Sequence, residues 1–233
     1  MPSDNDFERA WLAKLANCLA ETVGEETRKE VMKGSEDFSM QSSRQEVIAW
    51  SQRAMEKLDA LVDEEKRKQI MTGCACQYTK SDLREIRLTY EETKDSDVAH
   101  RMLQEKFESF LRSALSLTDE TVAEIASKGW GLAGIKKGHE IIATKIPKSG
   151  FLKEYMEAAD PETRRQYYCH CPRVREMVKH SWIISPTYCY CGAGFYKGIW
   201  EEILQRPVEV EVLETVLSGG QVCRIAIQLP PDL

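Results

Sequence analysis

Three Cys-x-Cys pairs are the part of this 233-residue sequence best suited to chemistry. The segments "GCACQY", "YCHCPRVREM" and "YCYCGAGFYK" hold six of the eight cysteines, which are Cys74, Cys76, Cys169, Cys171, Cys189 and Cys191. Thiolates are soft ligands that zinc and iron–sulfur clusters prefer, and four of them complete a tetrahedral site. Because random placement seldom produces three such pairs, the pattern predicts a thiolate site.

The spacing favours a metal site whose core ligands are Cys169, Cys171, Cys189 and Cys191. In an extended backbone, residues two apart point to the same side, so two such pairs could supply four sulfurs. Cys74 and Cys76 would add to this set or displace one of the pairs. We expect zinc as the cofactor, and an iron–sulfur cluster is the alternative that a cysteine-only ligand set fits equally well.

Two other kinds of chemistry fit the same cysteines. Neighbouring thiols could cycle through disulfides, as in a thiol redox protein. A cysteine hydrolase would need a thiolate paired with a base, and Cys171 or Cys191 with His170 is the one pairing that the sequence places close together. The isolated Cys18 and Cys223 are interpreted instead as small buried side chains.

Aromatic side chains cluster around these cysteines and could line an apolar pocket for a small molecule. The candidates are Tyr168, Tyr190, Phe195 and Trp200. No dinucleotide-binding, P-loop or nucleophile-elbow motif is present in the sequence. The long amphipathic helices of the first half would also suit a partner-binding module, which is a third hypothesis.

Composition narrows the classes of partner. A formal net charge of −6 disfavours general nucleic-acid binding, which is typical of basic proteins. No apolar run is long enough to span a bilayer, and "MPSDNDFERAW" lacks the features of a signal peptide. We therefore expect a cytoplasmic protein with a small-molecule ligand, no nucleic acid and no membrane partner, and allow for a homodimer. Cytoplasmic thiols stay reduced, which favours metal binding or catalysis over structural disulfides.

Hydrophobic periodicity and turn residues predict an α+β fold. A helical region covers residues 1–127, with one helix predicted across 43–71 and ending at Gly73. An α/β region covers residues 128–233 and ends in a helix and a β-hairpin. Within it we predict a strand over 139–147, a helix over 150–159, a loop at "DPET", and helices after Pro172 and over 191–204. The hairpin covers 206–230.

The C-terminal third resembles known families. The helix that begins around Gly194, the alternating "RPVEVEVLE", the glycine turn and "CRIAI" are similar to the end of four-vinyl reductase domains and of the aminothiazoline-carboxylate hydrolase family. The resemblance implies an α/β small-molecule-binding module, in whose sensor members cysteines and an acidic residue hold zinc. Cys223 matches the hairpin cysteine, but the other cysteine position is Thr215, beside Glu214, so that zinc site is not intact.

The whole chain resembles an uncharacterised bacterial, cysteine-rich family that shares "YCHCPRVR" and "CYCGAGFYK". This resemblance brings no function with it. The hypotheses that follow from the residues are therefore a metal-dependent small-molecule-binding protein, a cysteine hydrolase of a small amide-like or thiazoline-like substrate, and a thiol redox protein.

Overall fold

The computed structural model describes residues 4–38 and 42–232, and in the first helix it describes side chains from Arg9 onward. Helices occupy most of the first half: α1 Asp4–Val23, α2 Glu25–Met32, α3 Arg44–Leu61, α4 Glu64–Gly73, α5 Lys80–Thr93, α6 Ser96–Leu115 and α7 Asp119–Ser127. The second half mixes strands and helices: β1 Ile135–Lys137, β2 Glu140–Thr144, α8 Leu152–Glu157, α9 Pro161–Tyr168, α10 Pro172–His180, α11 Tyr190–Leu204, β3 Glu209–Glu214 and β4 Arg224–Gln228. The predicted α+β class with a helical N-terminal half is confirmed.

The prediction of one helix across 43–71 is wrong, because the chain breaks into α3 and α4. Val62 is extended, and the Asp63 side chain accepts a hydrogen bond from the backbone N–H of Lys66. A short carboxylate that accepts from an amide in the first turn begins a new helix. This cap was not predicted because Asp63 lies within the charge-rich stretch "VDEEKRK". The end of α4 at Gly73 agrees with the prediction.

The prediction of a loop at "DPET" is also wrong, since α9 begins there. Asp160 caps it by accepting from the N–H of Thr163 at 2.8 Å, and Pro161 occupies the first turn, where a missing N–H costs nothing. The short strand β1 was not predicted. The terminal helix, the β3–β4 hairpin and the helix after Pro172 are confirmed.

The four strands form one antiparallel sheet in the order β1-β2-β4-β3. The central strand β4 carries the buried side chains Ile225, Ala226 and Ile227, while β3 alternates exposed and half-buried residues as an edge strand does. The valines of β3 thus alternate with glutamates, as predicted.

Contacts divide the described chain into two compact units that do not follow chain order. The first unit comprises residues 1–76 and 171–194, and the second comprises residues 77–170 and 195–233. The change from helices alone to helices with strands does fall after Ser127. Whether residues 1–127 and 128–233 are separate domains stays a prediction.

Each unit has a core of its own. In the first unit α1 packs on α2 and α4, and α3 contacts α10. Its most deeply buried side chains are Leu15, Leu19, Ile48, Trp50, Leu58, Ile70, Met71 and Met177. In the second unit the sheet is accompanied by an apolar cluster between α6 and α7, formed by Phe107, Leu111, Val122 and Ile125. None of the helices in the described ranges is long and apolar enough to cross a membrane.

Candidate thiol site

The six paired cysteines are divided between the two units. Cys74, Cys76, Cys171, Cys189 and Cys191 belong to the first unit, as does Cys18. Cys169 and His170 belong to the second unit, although they directly precede Cys171 in sequence. All eight cysteines carry thiols in the structure, and the densest group of them lies in the first unit.

The backbone of the pairs differs from the extended form on which the prediction depended. Cys169 and Cys171 are extended and flank the start of α10, with Cys171 as its N-cap. Cys189, by contrast, ends a 3₁₀ turn, and Cys191 lies in the first turn of α11. Residues two apart on a helix do not share a face. The expectation that the Cys189 and Cys191 sulfurs point to one side is therefore wrong.

The centre of the group is a pair of thiols that no sequence motif predicts. Cys18, in α1, lies beside Cys74, directly after α4: the Cys18 sulfur rests against Gly73, and each thiol shifts the pKa of the other. Cys74 is fully buried, while Cys18 is half-buried. The pair thus combines one accessible sulfur with one that is shielded from solvent.

The Cys74 thiol proton has an acceptor in the backbone. The Cys74 Sγ lies 3.1 Å from the carbonyl oxygen of Ile70, to which it donates. A thiol has a single proton, and a hydrogen bond to a charged acceptor is the stronger. Ionisation of Cys18 would therefore draw this proton toward the thiolate.

The surroundings favour the thiolate at Cys18. The hydrogen bond with Cys74 lowers the pKa of Cys18 to about 7, with help from the positive charge of Lys14, although burial and Glu21 act against it. The same interaction and deep burial raise the pKa of Cys74. Lys14 is held beside the pair because its Nζ donates to the Ala75 carbonyl at 2.9 Å. Near neutral pH the pair therefore shares one negative charge, placed on Cys18.

A glycine makes room for the pair. A Cβ atom built on Gly73 would lie 2.6 Å from the Cys18 Sγ. The sulfur of Cys18 thus rests against the bare backbone of the last residue of α4. Any side chain at residue 73 would displace this sulfur or separate α1 from α4.

A second glycine brings a third thiol to the pair. A Cβ atom on Gly194 would lie 2.0 Å from the carbonyl oxygen of Thr72, so the first turns of α11 pack backbone to backbone on the end of α4. This approach places Cys191 beside Cys74. The Cys191 Sγ donates to the Cys74 carbonyl at 3.8 Å, and the charge of a Cys191 thiolate helps to raise the pKa of Cys74.

A fourth thiol borders a buried polar cluster on the other side of Cys191. Tyr188 is buried, and its hydroxyl accepts a hydrogen bond from the Arg173 Nη1 at 2.6 Å. The Tyr188 oxygen lies 3.9 Å from the Cys171 Sγ, and burial raises the pKa of this phenol well above its usual value. The Arg173 guanidinium also lies 4.2 Å from the ring centre of Trp11. Cys171 thus lies at the edge of this cluster.

The predicted metal ligands do not form a recognisable ion site. Within residues 4–38 and 42–232, no group of three or more His, Cys, Asp or Glu side chains is arranged to hold a metal ion. The zinc or iron–sulfur site built on Cys169, Cys171, Cys189 and Cys191, with Cys74 and Cys76, stays a prediction. The His170 Nε2 lies 2.9 Å from the Ile146 carbonyl oxygen. The hydrolase pairing of Cys171 or Cys191 with His170 also stays a prediction.

The aromatic pocket candidates are also divided between the units. The Tyr168 hydroxyl accepts from the N–H of Cys223 at 2.9 Å and donates to the Lys145 carbonyl, so it joins α9 to the chain beside β4. Trp200 is fully buried and stacks on His100, and Phe195 packs edge-on against Tyr196. These three belong to the second unit, whereas Tyr190, below the ammonium of Lys68, belongs to the first. A ligand pocket lined by them stays a prediction.

Comparison with known proteins yields one family match. Residues 154–231 match a family described as of unknown function, DUF6144. The match covers about a third of the chain and includes "YCHCPRVR", "CYCGAGFYK" and Cys223, but neither Cys18 nor Cys74. Among curated proteins and solved structures, none matches the chain.

Proposed function

We propose that this protein is a thiol redox protein whose reactive pair is Cys18 and Cys74. The observation that carries the proposal is the placement of the half-buried Cys18 sulfur against Gly73, directly beside the fully buried Cys74, where each thiol shifts the pKa of the other. Neighbouring thiols whose side chains face each other at a suitable separation can be joined as a disulfide with little movement of the backbone.

The proposed reaction is exchange with a small-molecule disulfide, RSSR. The Cys18 thiolate attacks one sulfur of RSSR, so that a Cys18–SR bond forms, the S–S bond breaks, and RS⁻ leaves. Cys74 then loses its proton to the medium or to the departing thiolate and attacks the Cys18 sulfur. The Cys18–Cys74 bond forms, a second RS⁻ leaves, and the two electrons of the thiol pair now reside on two RSH molecules.

The environment of the pair suits these roles. Attack requires the thiolate form, and the pKa of Cys18, lowered to about 7, makes that form abundant at neutral pH. Resolution requires a second thiol that does not itself react with the oxidant, and the burial of Cys74 provides this protection. The Lys14 ammonium, held by the Ala75 carbonyl, favours the negative charge during both steps.

The test is a map of disulfides in the full-length protein. The chain is reduced without oxygen, equilibrated with mixtures of a small thiol and its disulfide, quenched with an alkylating agent and digested for mass spectrometry. We expect a Cys18–Cys74 disulfide that returns to thiols when the small thiol is in excess. In Cys74→Ser, the expected product is a stable mixed disulfide at Cys18.

Cys223→Ala is the control, because Cys223 is a buried cysteine of the second unit, and the Cys18–Cys74 bond should form in it as in the unaltered chain. The proposal would be contradicted if both Cys18 and Cys74 were alkylated at every ratio of the small thiol to its disulfide. Zinc, or iron with acid-labile sulfide, bound stoichiometrically to the protein purified without oxygen would instead favour the metal site predicted from the sequence. The likeness to four-vinyl reductase domains adds no support to either function.

A further inference from the structure

We infer that Cys191 is a third reacting thiol of this site. It displaces Cys18 from the Cys18–Cys74 disulfide by thiol–disulfide exchange. The inference rests on the proposed Cys18–Cys74 chemistry and extends it. It assigns to the three thiols an order: Cys18 receives the oxidising equivalent, Cys74 transfers it, and Cys191 retains it.

Cys74 neighbours both of the other thiols. On one side its thiol interacts with Cys18, whose sulfur rests against Gly73. On the other side the Cys191 Sγ lies 3.8 Å from the carbonyl oxygen of the same residue, and the charge of Cys191 is felt at the Cys74 sulfur. A rotation of the Cys191 side chain from the carbonyl toward the sulfur of Cys74 would therefore begin the exchange.

The framework holds Cys191 at this distance. The close approach of Gly194 to Thr72 anchors the first turns of α11, where Cys191 lies, on the end of α4, which leads directly into Cys74. No side chain larger than hydrogen fits at residue 194 without separating these two backbones, since its Cβ would lie 2.0 Å from the Thr72 oxygen. The third thiol is thus positioned by main-chain packing and not by a mobile loop.

The exchange is balanced without a further oxidant. The Cys191 thiol gives its proton to the medium, and its sulfur attacks the Cys74 sulfur of the Cys18–Cys74 disulfide. The Cys74–Cys191 bond forms, the Cys18–Cys74 bond breaks, and the electron pair passes to the Cys18 sulfur. Exchange favours the leaving thiol of lower pKa, and Cys18, beside Lys14, is that thiol.

The consequence is that Cys18 becomes reactive again while the protein stays oxidised. Cys18 is half-buried and can meet a second small-molecule disulfide, whereas the buried Cys74 is already protected as its disulfide with Cys191. After a second encounter, Cys18 carries a mixed disulfide. All three cysteine thiols would then be oxidised, whereas a simple Cys18–Cys74 pair would oxidise only two.

The experiment is time-resolved trapping of the reduced full-length protein after addition of oxidised glutathione as the small-molecule disulfide. Samples quenched with acid and alkylated are mapped by mass spectrometry. We expect Cys18–Cys74 first, followed by Cys74–Cys191 together with a glutathione adduct on Cys18. In Cys191→Ser, the map should stop at Cys18–Cys74, and the adduct on Cys18 should fall at least severalfold.

The variant Cys18→Ser provides a second readout that does not depend on the first step. In this chain the half-buried Cys191 is the thiol that the oxidant can reach, and oxidation should join it to the buried Cys74. Failure to form this bond would overturn the inference. A wild-type map that shows Cys18–Cys74 throughout and no Cys74–Cys191 would also overturn it, but would leave the proposed function intact. A map with neither bond would contradict the proposed function itself.

Discussion

The sulfur of Cys18 rests on the backbone of Gly73, where a Cβ atom would lie only 2.6 Å away. This contact joins α1 to the end of α4 and sets the distance between Cys18 and Cys74, which follows Gly73 directly. A glycine that looks like an ordinary helix terminator in the sequence therefore also makes the space in which two thiols meet.

Gly73→Ala should separate the thiol pair. The added methyl group would displace the Cys18 sulfur, and misplacing reacting groups by about an ångström can cost up to ~10²-fold in rate. We expect the Cys18–Cys74 disulfide to form about tenfold more slowly. The rate is measured by quenched alkylation after addition of a small disulfide. Gly150→Ala is the control, because its Cβ would have no neighbour within 4 Å; equal rates in the two variants would contradict the steric argument.

Cys74→Ala should make Cys18 less reactive at neutral pH. The hydrogen bond with Cys74 is the largest cause of the lowered Cys18 pKa, so its loss should return that pKa toward the ordinary value of about 8.5. The thiolate fraction at pH 7 would then fall by about tenfold or more. The measurement is the rate of Cys18 alkylation by iodoacetamide between pH 5 and 10, followed by mass spectrometry of the Cys18 peptide. A midpoint that stays near 7 would show that Lys14, and not Cys74, stabilises the thiolate.

The thiol pair should make stability depend on pH in two opposite ways. Between about pH 7 and 8.5 the folded pair holds one proton whereas the unfolded thiols hold two, so the free energy of unfolding should rise with pH. Above about pH 8.5 the unfolded thiols lose both protons while buried Cys74 keeps its own, so this contribution should fall.

Urea unfolding under reducing conditions measures this effect. The quantity of interest is the difference in unfolding free energy between the unaltered chain and Cys18→Ser/Cys74→Ser, taken across pH 6 to 10. A difference with its maximum near pH 8.5 is expected. A difference that does not change with pH would mean that the two thiols titrate alike in the folded and unfolded chains.

Gly194→Ala and Gly198→Ala should act in opposite directions although both lie in α11. Alanine is a better helix former than glycine by up to about 1 kcal/mol, and Gly198 has open space for a Cβ, so Gly198→Ala should stabilise. At Gly194 the methyl group would meet the Thr72 carbonyl, and overpacking of this kind costs about 1–3 kcal/mol. Urea unfolding of the two variants compares them directly. A stabilising Gly194→Ala would show that α11 and α4 can separate without cost.

Tyr188→Phe should destabilise the first unit. It removes a hydroxyl that accepts from the Arg173 Nη1, and the loss of a buried hydrogen bond to a charged group costs about 1–3 kcal/mol. Unfolding in urea, monitored by circular dichroism, gives the change in free energy. Tyr78→Phe, at a half-buried ring, is the control and should shift it by about 0.5 kcal/mol or less. Equal effects of the two substitutions would contradict a structural role for the Tyr188 hydroxyl.

Local sequence patterns predicted most of the secondary structure, because caps and periodicity act within a few residues. The alternation of valine and glutamate from Val208 predicted the terminal hairpin, and the helix predicted after Pro172 begins at that proline. The failures came from caps hidden in polar stretches: Asp63, which divides a predicted helix in two, and Asp160, which begins α9 inside a predicted loop.

The thiol site, in contrast, is formed by residues that lie far apart in the sequence. The sequence indicated that cysteines matter and placed Cys74 just after a helix, since both conclusions follow from neighbouring residues. It could not indicate that Cys18, 56 positions earlier, is the partner of Cys74, because nothing within α1 distinguishes this cysteine from a small core residue. The packing of α1 on α4 at Gly73, and of α11 on α4 at Gly194, brought Cys18 and Cys191 to Cys74, while Cys169 belongs to the other unit. Residue spacing determined which side chains could react, but only the tertiary structure decided which sulfurs meet, because that choice depends on how closely two distant backbones can pack.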